Sequence, residues 1–155
     1  MFGMWPFGAE ASRFVTYATL HGVDPTSPVE PGNERPALWV GHVVLATHDI
    51  VRSFGFYRDL GLRPVHEPRG TDPVAELEMR GGTHLVLVLD PDARTDGRGA
   101  PFDLMADELD ALHDAMEGDG IDVSPIERGG HASFAFRDPD GWVVTVNDSH
   151  VTGVV

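Results

Sequence analysis

The punctuation of this chain occurs twice at nearly one spacing. Asp49 and Asp107, each placed to open a helix, stand 58 residues apart. Gly61 and Gly120, each placed to end one, stand 59 apart, and so do Gly82 and Gly141, each just before a strand. A spacing kept at three points marks a tandem duplication of one structural unit. Neither copy is long enough to bury a stable core alone, so the two must share a core or an interface.

The unit can be read from its side-chain periods. Residues 39–46 (WVGHVVLA) suit a buried strand. A helix capped by Asp49 buries Ile50, Phe54, Tyr57 and Leu60 along one stripe and stops at Gly61. Strands are expected at 62–66, 73–80 and 83–89, the last two joined across Gly81-Gly82. The second copy gives a strand at 100–106 and a helix from near Asp107 that buries Leu109, Leu112 and Met116. Strands at 121–126, 131–137 and 142–147 follow, with Asp138-Pro139-Asp140-Gly141 as the last turn. The fold class is α+β: two βαβββ modules, 39–90 and 100–150, in one domain spanning 39–150. Residues 90–99 (DPDARTDGRG) read as the linker between them. Residues 1–38 form an N-terminal arm with a proline-rich linker, a lid, a dimer-wrapping element or a loosely packed appendage. Residues 151–155 are a tail.

Composition removes several function classes. A net charge of −14 opposes binding to nucleic acid or to anionic membrane surfaces. No window approaches the ~20 apolar residues of a membrane helix, and the N-terminus lacks a secretory signal, so a soluble cytoplasmic protein is expected. The chain has no cysteine, which excludes disulfides, thiolate metal sites and cysteine nucleophiles. All eleven basic residues are Arg.

The punctuated residues resemble a known family. His42, Asp49, Ser53, Phe56-Tyr57 and Leu60-Gly61-Leu62 in the first half carry the resemblance, with Asp107 to Leu112 and Phe134 to Gly141 in the second. Together they resemble the vicinal oxygen chelate superfamily of glyoxalases, bleomycin- and fosfomycin-resistance proteins and extradiol dioxygenases, over roughly residues 39–150. The resemblance implies a curved mixed sheet that forms a cup, and pairing into a homodimer. In metal-dependent members it also implies a divalent ion held by four strand positions, which here read His42, Val86, Pro101 and Thr145. Valine and proline have no donor side chain and threonine is a poor ligand, whereas catalytic zinc sites use about three protein ligands.

The expectation is therefore a small-molecule-binding protein, for drug or metabolite sequestration, with no metal cofactor favoured. The cup would be lined by His42, Val44, Ala46, His84, Val86, Asp103, Met105, His131, Thr145 and Asn147, with Trp39, Trp142 or Met105 free to stack on an aromatic ligand. His42 reads first as a wall residue, second as a general base, third as a ligand. The alternative is a metal-dependent lyase, isomerase or dioxygenase with a divergent site of His42, His84 and His131 holding Zn, Fe, Ni or Mn. Glu76 and Glu78 share a strand face, more commonly a solvent stripe than an acid–base pair. His48 and His113 read as solvated, His66 and His150 as surface. Asp148-Ser149-His150 cannot act as a triad, because adjacent residues cannot aim at one another.

Overall fold

The structure is a computed structural model and describes residues 38–149. The expected arm and tail lie outside these residues, Leu38 excepted. Among the described residues, eight strands and two α-helices follow the expected order, with one 3-10 turn at Arg80–Gly82. The first module contains β1 (His42–Thr47), α1 (Ile50–Asp59), β2 (Arg63–His66), β3 (Val74–Glu78) and β4 (His84–Leu89). The second contains β5 (Gly99–Ala106), α2 (Leu109–Gly118), β6 (Glu127–Arg128), β7 (Ala132–Arg137) and β8 (Val143–Asp148). Each module is a four-stranded mixed sheet, ordered β1-β4-β3-β2 and β5-β8-β7-β6, with the first strand parallel to the last.

The duplication is more regular than its punctuation suggests. Helix α1 begins at Ile50 and α2 at Leu109; β4 begins at His84 and β8 at Val143, each 59 residues on. The second helix is capped at Glu108, not Asp107, which restores the same offset from Asp49. Asp49 accepts a hydrogen bond from the Arg52 amide at 3.0 Å, whereas Glu108 makes no such bond. The Asp107 carboxylate pairs with Arg80 at 2.8 Å instead, and that guanidinium holds it below the usual carboxylate range. Both helices end in the same way. Gly61 and Gly120 adopt φ of 104° and 78°, and the amides of Leu62 and Ile121 reach back to the carbonyls of Tyr57 and Met116.

One strand departs from expectation. Residues 121–126 form only the bridge Val123 to Phe136, and the regular pairing moves on to Glu127–Arg128. An extra residue enters between these two pairings, a bulge that corresponds to the one between Pro64 and His66 in the first module. The Ser124 hydroxyl takes the place of a backbone acceptor there, receiving the Ala135 amide at 2.9 Å.

Alternation sorts each strand onto two faces. Leu45, Ala75, Leu77, Leu85 and Leu87 from one sheet, and Phe134, Phe136, Val144 and Val146 from the other, are buried in one cluster with Ile50, Phe54, Tyr57, Leu109 and Met116 from the helices. The core is therefore shared, as the length of the modules requires. Among the described residues, the opposite face of each sheet is left without a helix.

A buried carboxylate pair joins the modules. The turn between β7 and β8 directs Asp140 at the start of α1, with its side chain 1% exposed. Asp140 accepts from the Ser53 hydroxyl at 2.6 Å, the His48 amide at 2.9 Å and the Arg52 guanidinium at 3.1 Å. The buried Asp138 accepts from the Tyr57 hydroxyl at 2.8 Å and from the amides of Asp140 and Trp142 at 2.9 Å. The Trp142 indole donates back to the Ala46 carbonyl at 2.9 Å. Residues 90–99 are more than a linker: Thr95 donates to the Asp140 carbonyl, the Gly97 amide to the Gly141 carbonyl, and the Val143 amide to the Arg98 carbonyl. The His48 ring, exposed as expected, also lies 2.8 Å from the Ala93 carbonyl and 3.2 Å from Asp140.

Burial and hydrogen bonding set the two carboxyls apart. Burial pushes the Asp138 carboxyl up, and the hydrogen bonds it accepts do not fully offset this. Burial also acts on Asp140, but hydrogen bonds from Ser53, Thr47 and the His48 amide and the charge of Arg52 outweigh it and hold Asp140 low. Tyr57 is kept protonated, by burial first and then by the charge of Asp138.

Two predictions follow from this architecture. Gly141 has φ of 88°, and a Cβ there would lie 2.7 Å from Asp96 Oδ1 and 2.8 Å from its Cα, whereas Gly82, at φ 84°, faces open space. Gly82→Ala should cost about 1 kcal/mol in urea unfolding from backbone strain alone, and Gly141→Ala distinctly more, about 3 kcal/mol; equal losses would contradict the close approach. The second concerns pH. A raised folded-state pKa makes Asp138 lose stability as pH rises above about 4, the unfolded value, whereas the lowered Asp140 contributes stability above that pH and loses it below. Asp140→Asn should therefore be most destabilising near pH 7, with the deficit shrinking towards pH 3. Asp138→Asn should gain on the wild type between pH 4 and pH 7.

Candidate functional site

The faces turned away from the helices carry the expected cup residues. On β1 these are His42, Val44 and Ala46, and on β4 His84, Val86 and Val88. In parallel register His42 lies beside His84, and Val44 beside Val86. On β5 and β8 the equivalent pairs are Asp103 beside Thr145 and Met105 beside Asn147. Val44 and Met105 are each 54% exposed, large apolar side chains that no element of the described residues covers. Asn147 donates to Asp103 at 3.0 Å.

Three features were not legible in the sequence. Glu76 is directly opposite Val86 in the antiparallel β3–β4 pairing. It is half-buried on the same face as the histidines, with Oε2 4.0 Å from His84 Nδ1, rather than on a solvent stripe. His84 in turn meets His42 edge to face, with ring centroids 5.5 Å apart. Glu78 is next on that face of the strand and pairs with Arg63. The second feature is Trp142, whose indole spans the module junction and is not presented for stacking. Trp39 precedes β1 and is exposed.

The third feature is Pro101. In the first module, pairing runs without a break from His42 to Thr47. In the second, it jumps from Gly99 opposite Val143 to Asp103 opposite Thr145, so four positions on β5 span two on β8. Proline cannot donate to the ladder, and the Val143 amide bonds to Arg98 instead. The strand position symmetric to His42 is thus altered in backbone as well as in side chain.

His131 stands apart from His42 and His84. It precedes β7, which β8 separates from β5, and its Nδ1 lies 3.5 Å from Asp148 Oδ1. Among the described residues, no group of three or more His, Asp or Glu side chains is arranged to hold a metal ion. Of the four positions that would supply a metal, only His42 has a strong donor: Val86 and Pro101 have none, and Thr145 is neutral and lies beside Asp103. The residues present do not fit such an ion. What the face offers is an apolar floor, two adjacent imidazoles and two carboxylates without a guanidinium partner among the described residues, Glu76 and Asp103.

Comparison with known proteins agrees with this architecture. A family model described as Glyoxalase/Bleomycin resistance protein/Dioxygenase superfamily matches residues 39–146. No curated protein sequence matches the chain. Among solved structures, TnmS3, an antibiotic binding protein from Streptomyces sp. CB03234, superposes with a TM-score of 0.63 at 22% identity, over 74% of this chain and 98% of that one. A lactoylglutathione lyase from Agrobacterium tumefaciens gives 0.60 at 24% identity, covering 74% and 96%. A bleomycin resistance determinant encoded on the transposon Tn5 gives 0.59 at 20% identity, covering 73% and 99%. At such identities the likeness concerns the fold alone.

Proposed function

The chain belongs to the Glyoxalase/Bleomycin resistance protein/Dioxygenase superfamily, and on that premise we propose that it binds a small organic molecule on the open face of its sheets without a catalytic metal. One observation carries the reading. At the four strand positions where a metal would be held, the chain has one histidine, a valine, a proline in an interrupted strand pairing and a threonine. The scaffold is kept while the donor set is not. The exposed Val44 and Met105 supply apolar contact, and the polar groups around them supply orientation, which is the make-up of a small-molecule site. An antibiotic-binding protein and a bleomycin resistance determinant among the structural neighbours support binding as an end in itself. A second copy of the chain is part of the proposal, as its partner in a homodimer.

The competing reading, an enzyme with a divergent histidine site, has one observation in its favour. His42 and His84 are in ring contact, with Glu76 behind them. Binding and chelation separate the two. Screened by thermal unfolding, the chain should respond to at least one class of small organic ligand. The midpoint should rise by about 5 °C or more at a ligand concentration about 100 times Kd, where binding contributes about 2.7 kcal/mol. The shift should be unchanged by EDTA. It should disappear in Val44→Arg, on the open face, and persist in Val51→Arg, on the outer side of α1, positions of similar exposure. A shift that EDTA removes, or that Val44→Arg leaves intact, would overturn the reading.

A further inference from the structure

The charges on the open face are unequally compensated. Two arginines, Arg63 and Arg137, hold strand positions on this face and both are committed, while Arg128 of β6 pairs with Asp110 of α2. Arg63 pairs with Glu78, and Arg137 pairs with Asp96 at 3.1 Å and Asp122 at 3.4 Å. Glu76 and Asp103 have no guanidinium partner among the described residues. Glu76 has only an imidazole nitrogen 4.0 Å away, too far for a hydrogen bond. Asp103 has only the neutral amide of Asn147. One such carboxylate belongs to each sheet, and each sheet also presents an exposed apolar side chain on this face, Val44 on one and Met105 on the other. A net charge of −14 adds a long-range field of the same sign.

A ligand that satisfies this face must cover apolar area and bring positive charge. A flat ring system presents area to valine methyls and to the Met105 thioether, which packs well against aromatic rings. An amine on that ring would find Glu76 partly shielded from water, where attraction is stronger than in bulk solvent, and Asp103 exposed beside Met105 and Asn147. An anionic ligand would meet only repulsion from Glu76, Asp103 and the chain as a whole. We propose that the ligand class of this face is a planar aromatic amine in its cationic form. This rests on the small-molecule reading above and adds the sign of the ligand's charge.

Two fluorescent three-ring probes test the sign: 9-aminoacridine, a cation, and 9-anthracenecarboxylate, an anion of similar shape. Each is titrated with the full chain. The cation should bind saturably and at least tenfold more tightly than the anion. Glu76→Gln and Asp103→Asn should each weaken the cation about fivefold, while Asp114→Asn, on an exposed carboxylate of α2, should leave it unchanged. Equal loss in Asp114→Asn would reduce the effect to attraction by an acidic chain and overturn the proposal. Equal or tighter binding of the anion would also overturn it, yet leave the small-molecule reading standing. Saturable binding of neither probe overturns the charge assignment, and the Val44→Arg comparison then decides the broader reading by itself.

Discussion

Asp140 is the residue through which two modules become one structure. A carboxylate buried to this extent is costly unless donors surround it, and three of its donors, the His48 amide, Arg52 and Ser53, come from the other module. Tyr57 and Asp138 repeat the arrangement one helical turn further on. The turn that bears both carboxylates leads directly into β8, and the residues it grips lie at the end of β1 and on α1. The junction therefore fixes β1 and β8, two strands that carry the open face, relative to one another.

The junction is one-sided. Shifting each member of the carboxylate network by 59 residues gives its counterpart in the other copy. Asp138 and Asp140 become Met79 and Gly81, and Thr47, Ser53 and Tyr57 become Ala106, Leu112 and Met116. These polar side chains are replaced together, and Arg52 likewise becomes Ala111, while His48, which gives Asp140 its amide, corresponds to Asp107. Met79, Ala106, Leu112 and Met116 instead belong to the apolar core. This is the pattern expected if an unpaired buried polar group costs more than an apolar replacement of the pair. The open face has diverged in the same way: His42, His84 and Glu76 correspond to Pro101, Val143 and Ala135. The duplicated scaffold holds two chemically distinct half-sites.

Much of the fold could be read from the sequence because it depends on local rules. An Asp before an apolar stripe and a glycine after it mark a helix wherever they occur, and Asp49 and Gly61 do so here. Alternation placed Val44, Ala46, His84, Val86, Asp103, Met105, Thr145 and Asn147 on the open face for the same reason. What escaped the sequence depends on partners distant along the chain. Asp107 is as good a cap residue as Asp49, but Arg80 holds it in another role. Glu76 alternates correctly, yet alternation does not say which polar face is solvent and which is the site. The gap opposite Pro101 and the bulge near Ser124 are register effects, visible only once the neighbouring strand is in place. Trp142 and Thr95 look like ordinary turn and linker residues until the module junction gives each a carbonyl to bind.

We propose that the family scaffold here works without the family's metal. The most direct test is the metal content of the full chain, measured by inorganic mass spectrometry after exposure to excess Zn, Fe, Ni and Mn and removal of free ions. Far less than one ion per chain is expected for each metal, and the same content in His42→Ala. One tightly held ion per chain, lost in His42→Ala, would contradict the proposal.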